Sequence, residues 1–294
     1  MDSTSGASRV VDRDIPAPSR TRLVVFWIVA IIFVALLLSD IVQTRPWYLL
    51  VPVTVWGGWG EVGAYPSHAI HMLMVALIHW AVIAAVVAQV VRPQQRIGAA
   101  WSYVILGVVT LGIALAYANL PPEAVPILSG VLVFSLLAFI VHPSPMRAKF
   151  RSVAPPSRVL LALVVAAAVP LAMFAIDSFG TQLASGPGDE HFDFGHWTFM
   201  GIYPIVTVLI GLVAAFKVSG WRLPGWIAGV FVLAHGLGSL LVTAASALRT
   251  VWAIAAVVWG VGFIIAIEAE ANQARQVRRA DAVPPTPDVP PADG

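Results

Sequence analysis

Histidine and acidic residues gather where two apolar segments of the chain begin. The segment PSHAIHMLMVALIHW carries His68 and His71, and GPGDEHFDFGHWTFMGIY carries Asp189, Asp193 and His196. Imidazole and carboxylate are ligands of zinc, copper and non-haem iron, and two ligands on one helix turn must stand three or four residues apart. Both segments meet that spacing. The sequence therefore predicts a site for a transition metal (copper, iron or zinc) formed by these five residues.

A second interpretation of the acids needs no metal. Asp189 follows Gly186, Pro187 and Gly188, and acids in the first turn of a helix accept hydrogen bonds from its free N–H groups and complement its dipole. If one helix begins near Asp189, then Asp189, Asp193 and His196 form a single stripe along it. The metal hypothesis gains weight only if the two histidine-bearing helices are neighbours.

Two further histidines, His79 and His235, lie near the middle of their apolar segments. Opposed histidines at matching depth are what a bis-histidine haem b requires, and His68 with His196 would hold a second haem above the first. The alternative function is therefore a di-haem b-type membrane electron carrier. A lone neutral histidine inside a helix bundle also commonly hydrogen-bonds to a neighbouring helix, and this third interpretation stays open.

The elements that position these residues are membrane helices. Of the 294 residues, 59% are hydrophobic and 11% are charged, and the mean hydropathy is +0.86. A helix needs roughly 20 apolar residues to cross a bilayer, where every backbone group must be paired within its own segment. The sequence predicts an all-α polytopic integral membrane helix bundle of about eight transmembrane helices, at 22–41, 66–91, 98–118, 125–142, 158–178, 196–217, 224–246 and 250–268. The broken apolar segment PWYLLVPVTVWGGWGEVG after the first helix is predicted to be interfacial or re-entrant.

Basic residues decide the orientation of this bundle. With the N-terminus inside, the inner loops and tails receive all of the 17 Lys and Arg residues except Arg45 and Arg249. Cytoplasmic loops of membrane proteins carry such an excess. We expect a multi-pass protein of the cell (cytoplasmic) membrane with both termini in the cytoplasm. The histidine and acid clusters then lie at the non-cytoplasmic face.

Polar, proline-rich stretches mark the expected divisions of the chain. Residues 1–21 and 271–294 are predicted to be disordered cytoplasmic tails. The basic cytoplasmic linker 143–157 separates two four-helix halves, 22–142 and 158–270. Because the second and sixth helices occupy equivalent places in these halves, an internal duplication in parallel orientation is one interpretation.

The amino-acid composition excludes several classes of functional site. The chain has no cysteine, which excludes thiolate zinc sites, iron–sulfur clusters and cysteine nucleophiles. Its basic residues are spread over inner loops, so nucleic acid is not an expected partner. The expected partners are the lipid bilayer and a lipophilic substrate or other membrane subunits. The leading prediction is a metal-dependent membrane oxidoreductase or hydrolase acting on a lipophilic substrate, and a metal transporter or an accessory or assembly subunit of a membrane complex is a further alternative.

Overall fold

The computed structural model describes residues 18–43, 66–117, 124–193, 195–242 and 247–282. The interfacial segment predicted after the first helix lies outside these ranges. Eight helices of at least 18 residues make up most of the described chain. They are α1 (Arg20–Gln43), α2 (Pro66–Val90), α3 (Ile97–Tyr117), α4 (Ala124–Val141), α5 (Arg158–Ala184), α6 (His196–Ala215), α7 (Arg222–Leu241) and α8 (Thr250–Ala282).

The helical prediction holds at each of the eight positions. Six helices, α1, α2, α5, α6, α7 and α8, are long and apolar enough to cross a membrane. The apolar stretches of α3 and α4 are shorter, at Ile97–Ile113 and Ser129–Val141. The all-helical fold class is therefore confirmed, and six of the helices have the length and apolar composition of membrane spans. A count of about eight crossings stays a prediction.

Helix α6 occupies the centre of the bundle. It packs against α2, α3, α5 and α7, and Ile202, Tyr203, Val206 and Ile210 along it are fully buried. The outer helices expose large apolar side chains instead. On α5 and α8, for example, Ile176 is 72% exposed and Val251 is 71% exposed. Water-soluble proteins rarely present such continuous apolar surfaces, whereas lipid chains cover them without cost.

Small residues bring α7 and α8 into close contact. A Cβ atom added at Gly229 would lie 2.6 Å from Cγ1 of Ile264. One added at Gly260 would lie 2.8 Å from the backbone oxygen of Gly229 and 2.8 Å from the backbone nitrogen of Leu233. Because lipid tails are as apolar as the helices, close backbone approach of this kind is a main source of helix association in membranes.

The predicted linker 143–157 is packed onto the bundle. Ser152 and Val218 form an isolated antiparallel bridge, and the backbone N–H of Val153 donates to the carbonyl of Lys217 at 2.9 Å. The N–H of Ser157 donates to the carbonyl of Ala215 at 2.8 Å. These backbone hydrogen bonds therefore hold the linker beside the C-terminal end of α6.

The C-terminal boundary differs from the predicted one. Helix α8 continues to Ala282, so residues 271–282 are helical where a disordered tail was expected. The helix outlasts the apolar stretch because Ala, Gln and Arg, which follow it, are strong helix formers. The division into two four-helix halves stays a prediction, and α6 of the second packs on α2 and α3 of the first.

Replacing Gly260 with alanine should push α7 and α8 apart, because the new methyl group meets backbone atoms that cannot rotate away. We expect G260A to lower the free energy of unfolding by about 1–3 kcal/mol. Thermal unfolding in a mild detergent measures the change. Gly262 is the matched control, since a Cβ there meets nothing within 4 Å. G262A should be neutral or gain up to about 1 kcal/mol, and an equal loss in both variants would contradict the close-packing explanation.

Candidate functional site

Two of the predicted ligands meet at the junction of α2 and α6. The ring centroids of His71 and His196 lie 5.3 Å apart, with an angle of 50° between the planes. The indole of Trp197 packs edge-on against His71 with centroids 5.2 Å apart. His71 is buried, and His196 is partly buried. The structure therefore makes the two histidine-bearing helices neighbours, as the metal hypothesis required.

The sixth helix begins later than the predicted stripe required. A short helical turn, Glu190–Asp193, comes first, and α6 starts at His196. Gly195 between them has φ of 63°, a left-handed conformation that glycine adopts without strain. The helix starts at residue 196 as predicted, but the single helix from Asp189 on which the stripe depended is not formed, because this glycine turns the chain. Asp189 and Asp193 therefore do not share a helix face with His196.

Both acids accept backbone hydrogen bonds in the turn before α6. Oδ1 of Asp189 accepts from the N–H of Phe192 at 3.1 Å, and the carboxylate of Asp193 accepts from the N–H of Gly188 at 3.2 Å. Both side chains are exposed. The Asp189 bond is of the kind that the capping interpretation expects, whereas the Asp193 bond reaches back to Gly188 before the turn.

A complete ligand set is not visible in the described residues. Among those whose side chains are described, no three His, Asp or Glu residues are grouped so that they could hold a metal ion. The side chain of His68 lies outside that part, although its backbone belongs to α2, three residues before His71. The predicted role of His68 stays a prediction.

Gln182 positions His196, and sequence reasoning missed it. This buried residue of α5 donates from Nε2 to the carbonyl of Phe192 at 3.2 Å. Its Oε1 accepts from the N–H of Thr198 at 3.3 Å. One amide therefore holds the chain on both sides of His196. The sequence did carry a signal for Gln182: an amide in an apolar helix is costly to bury without hydrogen-bond partners, so its presence indicates that it binds neighbouring groups.

The deeper histidines have separate surroundings. The ring of His235 contacts Phe174 of α5 at 5.0 Å and Tyr203 of α6 at 5.9 Å between centroids, edge-on in both cases. His79 hydrogen-bonds within its own helix, with Nδ1 2.9 Å from the carbonyl oxygen of Val75. A carbonyl only accepts, so Nδ1 carries the proton. Their helices, α2 and α7, are neighbours, and the shared haem stays a prediction.

A second polar cluster lies at the opposite, basic end. The N–H of Ser144 donates to Nδ1 of His142 at 3.2 Å, so Nε2 carries the proton and donates to Oε1 of Gln89 at 2.8 Å. Nε2 of Gln89 in turn donates to the carbonyl of Arg96. This chain of bonds joins the ends of α4 and α2 to the start of α3. It requires the neutral imidazole, because a protonated Nδ1 could not accept from Ser144.

No protein-family model, curated protein or solved structure matches this chain. Its function must therefore be argued from its own residues.

Replacing Gln182 with leucine should loosen the turn that presents His196. The backbone N–H of Thr198 and the carbonyl of Phe192 lose this partner, which costs about 1–3 kcal/mol when such groups are buried. We expect hydrogen exchange over residues 192–198 to accelerate in Q182L. Q273L on the exposed face of α8 is the matched control. Unchanged exchange in Q182L would show that other contacts fix this turn.

His142 should make stability depend on pH. Burial, followed by the nearby Lys149 charge, lowers the pKa of His142 from its usual 6.5 to about 3. The unfolded chain takes up a proton below 6.5 and the folded one does not, so this contribution is complete above pH 6.5 and is lost as the pH falls toward 3.

The expected loss is up to about 1.4 kcal/mol per pH unit in that window. Thermal unfolding of H142Q and the parent chain between pH 7 and pH 4 measures it, because glutamine keeps polar atoms at this position and does not titrate. The parent should lose stability faster than H142Q. Parallel curves would show that His142 does not carry the dependence.

Proposed function

We propose that this chain is an integral membrane protein that binds a transition metal ion (copper, iron or zinc) with His71 and His196 at the junction of α2 and α6. The spacing of the two rings carries the proposal. Two imidazoles on one tetrahedral ion, with metal–nitrogen distances of about 2.0–2.1 Å, have ring centroids roughly 5 Å apart. The observed 5.3 Å fits that arrangement. Ordinary aromatic contacts span about 4.5–7 Å, so an experiment has to separate the two.

His68 is the proposed third ligand. It precedes His71 by three residues in α2, the spacing at which two side chains of a helix can reach one ion. Asp189 and Asp193 would first have to release the backbone N–H groups that they bind. They could take the remaining position only after these bonds are broken, and otherwise it stays open. Three protein ligands and one open position are typical of catalytic rather than structural zinc sites.

An ion held in this place would act on a lipophilic substrate. A metal ion polarises a bound oxygen atom or lowers the pKa of a bound water, and either effect serves an oxidoreductase or a hydrolase. The exposed apolar faces of the outer helices support the bilayer as the route of entry. The proposed location is the cell membrane with the histidine pair at the outer face. The excess of basic residues on the loops assigned to the cytoplasm supports that orientation.

A di-haem electron carrier is the second candidate. One observation favours it: the hydrogen bond from Nδ1 of His79 to Val75 fixes the tautomer in which Nε2 carries the lone pair. Histidines that bind iron commonly have their other ring nitrogen held in this way. His235 would be the opposite ligand. A metal transporter or an accessory subunit would use the same bundle without catalysing a reaction.

Elemental analysis and a visible spectrum of the protein purified in mild detergent test the proposal. We expect copper, iron or zinc near one ion per chain and no Soret band. H71A and H196A should each lose most of the bound metal, since each removes one of the two proposed ligands. Both variants should stay folded. H191A, changed in the helical turn just before α6, is the matched control and should keep the metal.

Three outcomes would contradict the metal proposal. A Soret band that disappears in H79A or H235A would establish the haem alternative. Equal metal content in the parent, H71A and H196A would place the ion elsewhere. Neither metal nor colour in folded protein would favour the accessory role, in which the two imidazoles only pack against each other.

A further inference from the structure

An open groove of about 640 Å³ lies at the basic end of the bundle, where α2, α3 and α7 meet. Its apolar wall comes from α2 and α7 and includes Val87, Leu223 and Trp226. Arg96 and Arg222 line the groove as well, together with the exposed amide of Gln95. This combination of apolar surface and guanidinium groups is independent of the histidine pair, which belongs to the other end of α2.

Of the two guanidinium groups that line the groove, Arg222 is neutralised by a carboxylate of the described residues and Arg96 is not. Arg222 is paired with Glu268, whose two carboxylate oxygens lie 2.5 Å from Nε and Nη2 of the guanidinium. Trp226 also donates to Glu268, at 2.6 Å. Arg96 donates from Nη1 to the carbonyl of Ala88 at 2.9 Å, and within the described chain no carboxylate forms an ion pair with it. A ligand with one negative charge would therefore complement the groove.

The apolar wall indicates a lipid rather than a free anion. Val87 is 50% exposed and Trp226 is 39% exposed, so both offer contact area that a small ion could not use. Tryptophan is enriched at the level of lipid headgroups, where one side of the ring is apolar and the N–H is polar. A volume of this size is within the usual range of roughly 300–1,000 Å³ for ligand pockets.

We propose that this groove binds an anionic phospholipid, with its phosphate on Arg96 and its upper acyl chain along Val87, Leu223 and Trp226. Guanidinium groups donate two parallel hydrogen bonds to a phosphate, and Gln95 supplies a further donor nearby. Basic pockets between membrane helices on the cytoplasmic side recognise such headgroups. The site would couple the bundle to the composition of the leaflet that surrounds its basic end.

The test compares two lipids on the purified protein in mild detergent. Phosphatidylglycerol, which carries one negative charge, and zwitterionic phosphatidylcholine are titrated while the thermal midpoint is recorded. We expect phosphatidylglycerol to stabilise the parent protein at lower concentration. R96Q should weaken this effect roughly tenfold, because it removes the charged hydrogen bonds to the phosphate. R92Q makes the same change of charge at an exposed residue that does not line the groove, and it should behave like the parent.

A second variant guards against a folding defect in R96Q. V87A removes contact area from the apolar wall at a half-exposed position without adding a charge, so it should weaken phosphatidylglycerol binding and change the lipid-free midpoint little. Equal losses in R96Q and R92Q would overturn the proposal in favour of general surface attraction. Stabilisation by inorganic phosphate alone, at matched concentration, would assign the groove to a free anion. An equal response to both lipids would also overturn it.

Discussion

The packing of α6 is the constraint on which the rest of the structure depends. Four of the other long helices pack against it, and its Tyr203 stacks on Phe231 of α7 with ring centroids 4.9 Å apart. A Cβ atom at Gly201 would lie 2.6 Å from the ring of Phe179, so the ring takes its place against α6 because that position is glycine. Helices in lipid gain nothing from burying apolar surface away from lipid, so fit between side chains sets their positions. A shift of α6 would disturb all four interfaces.

Both polar ends of the molecule depend on this helix. At its C-terminal end, Lys217 pairs with Glu270 of α8 and lies 3.4 Å above the centroid of the Trp221 ring. Glu268 joins α8 to Arg222 in the same region. At its N-terminal end, His196 meets His71, and the amide of Gln182 holds the turn. Ion pairs thus join the helices at the basic end, and at the other end the histidine rings and the Gln182 amide bring α2, α5 and α6 together.

The sequence predicted the positions of the helices because long apolar runs are separated by Pro, Gly and charged residues. It failed where a boundary depends on something other than hydropathy. Helix α8 continues through Gln273 and Arg275 because helix propensity persists until the prolines that begin at Pro284. The start of α6 at residue 196 was predicted correctly, whereas the stripe that joined Asp189 to His196 was not formed, because a positive φ at Gly195 cannot be recognised from composition.

The contacts between side chains were harder to predict than the helices, because they depend on how each helix is rotated against its neighbours. A helical wheel gives the angles among His68, His71 and His79 but not the rotation of α2 about its axis, which the neighbouring helices determine. Among the histidines of α2 whose side chains the structure describes, His71 contacts His196. A packing contact between these two helices could also be made by hydrocarbon rings, whereas the metal site proposed above needs nitrogen donors at both positions.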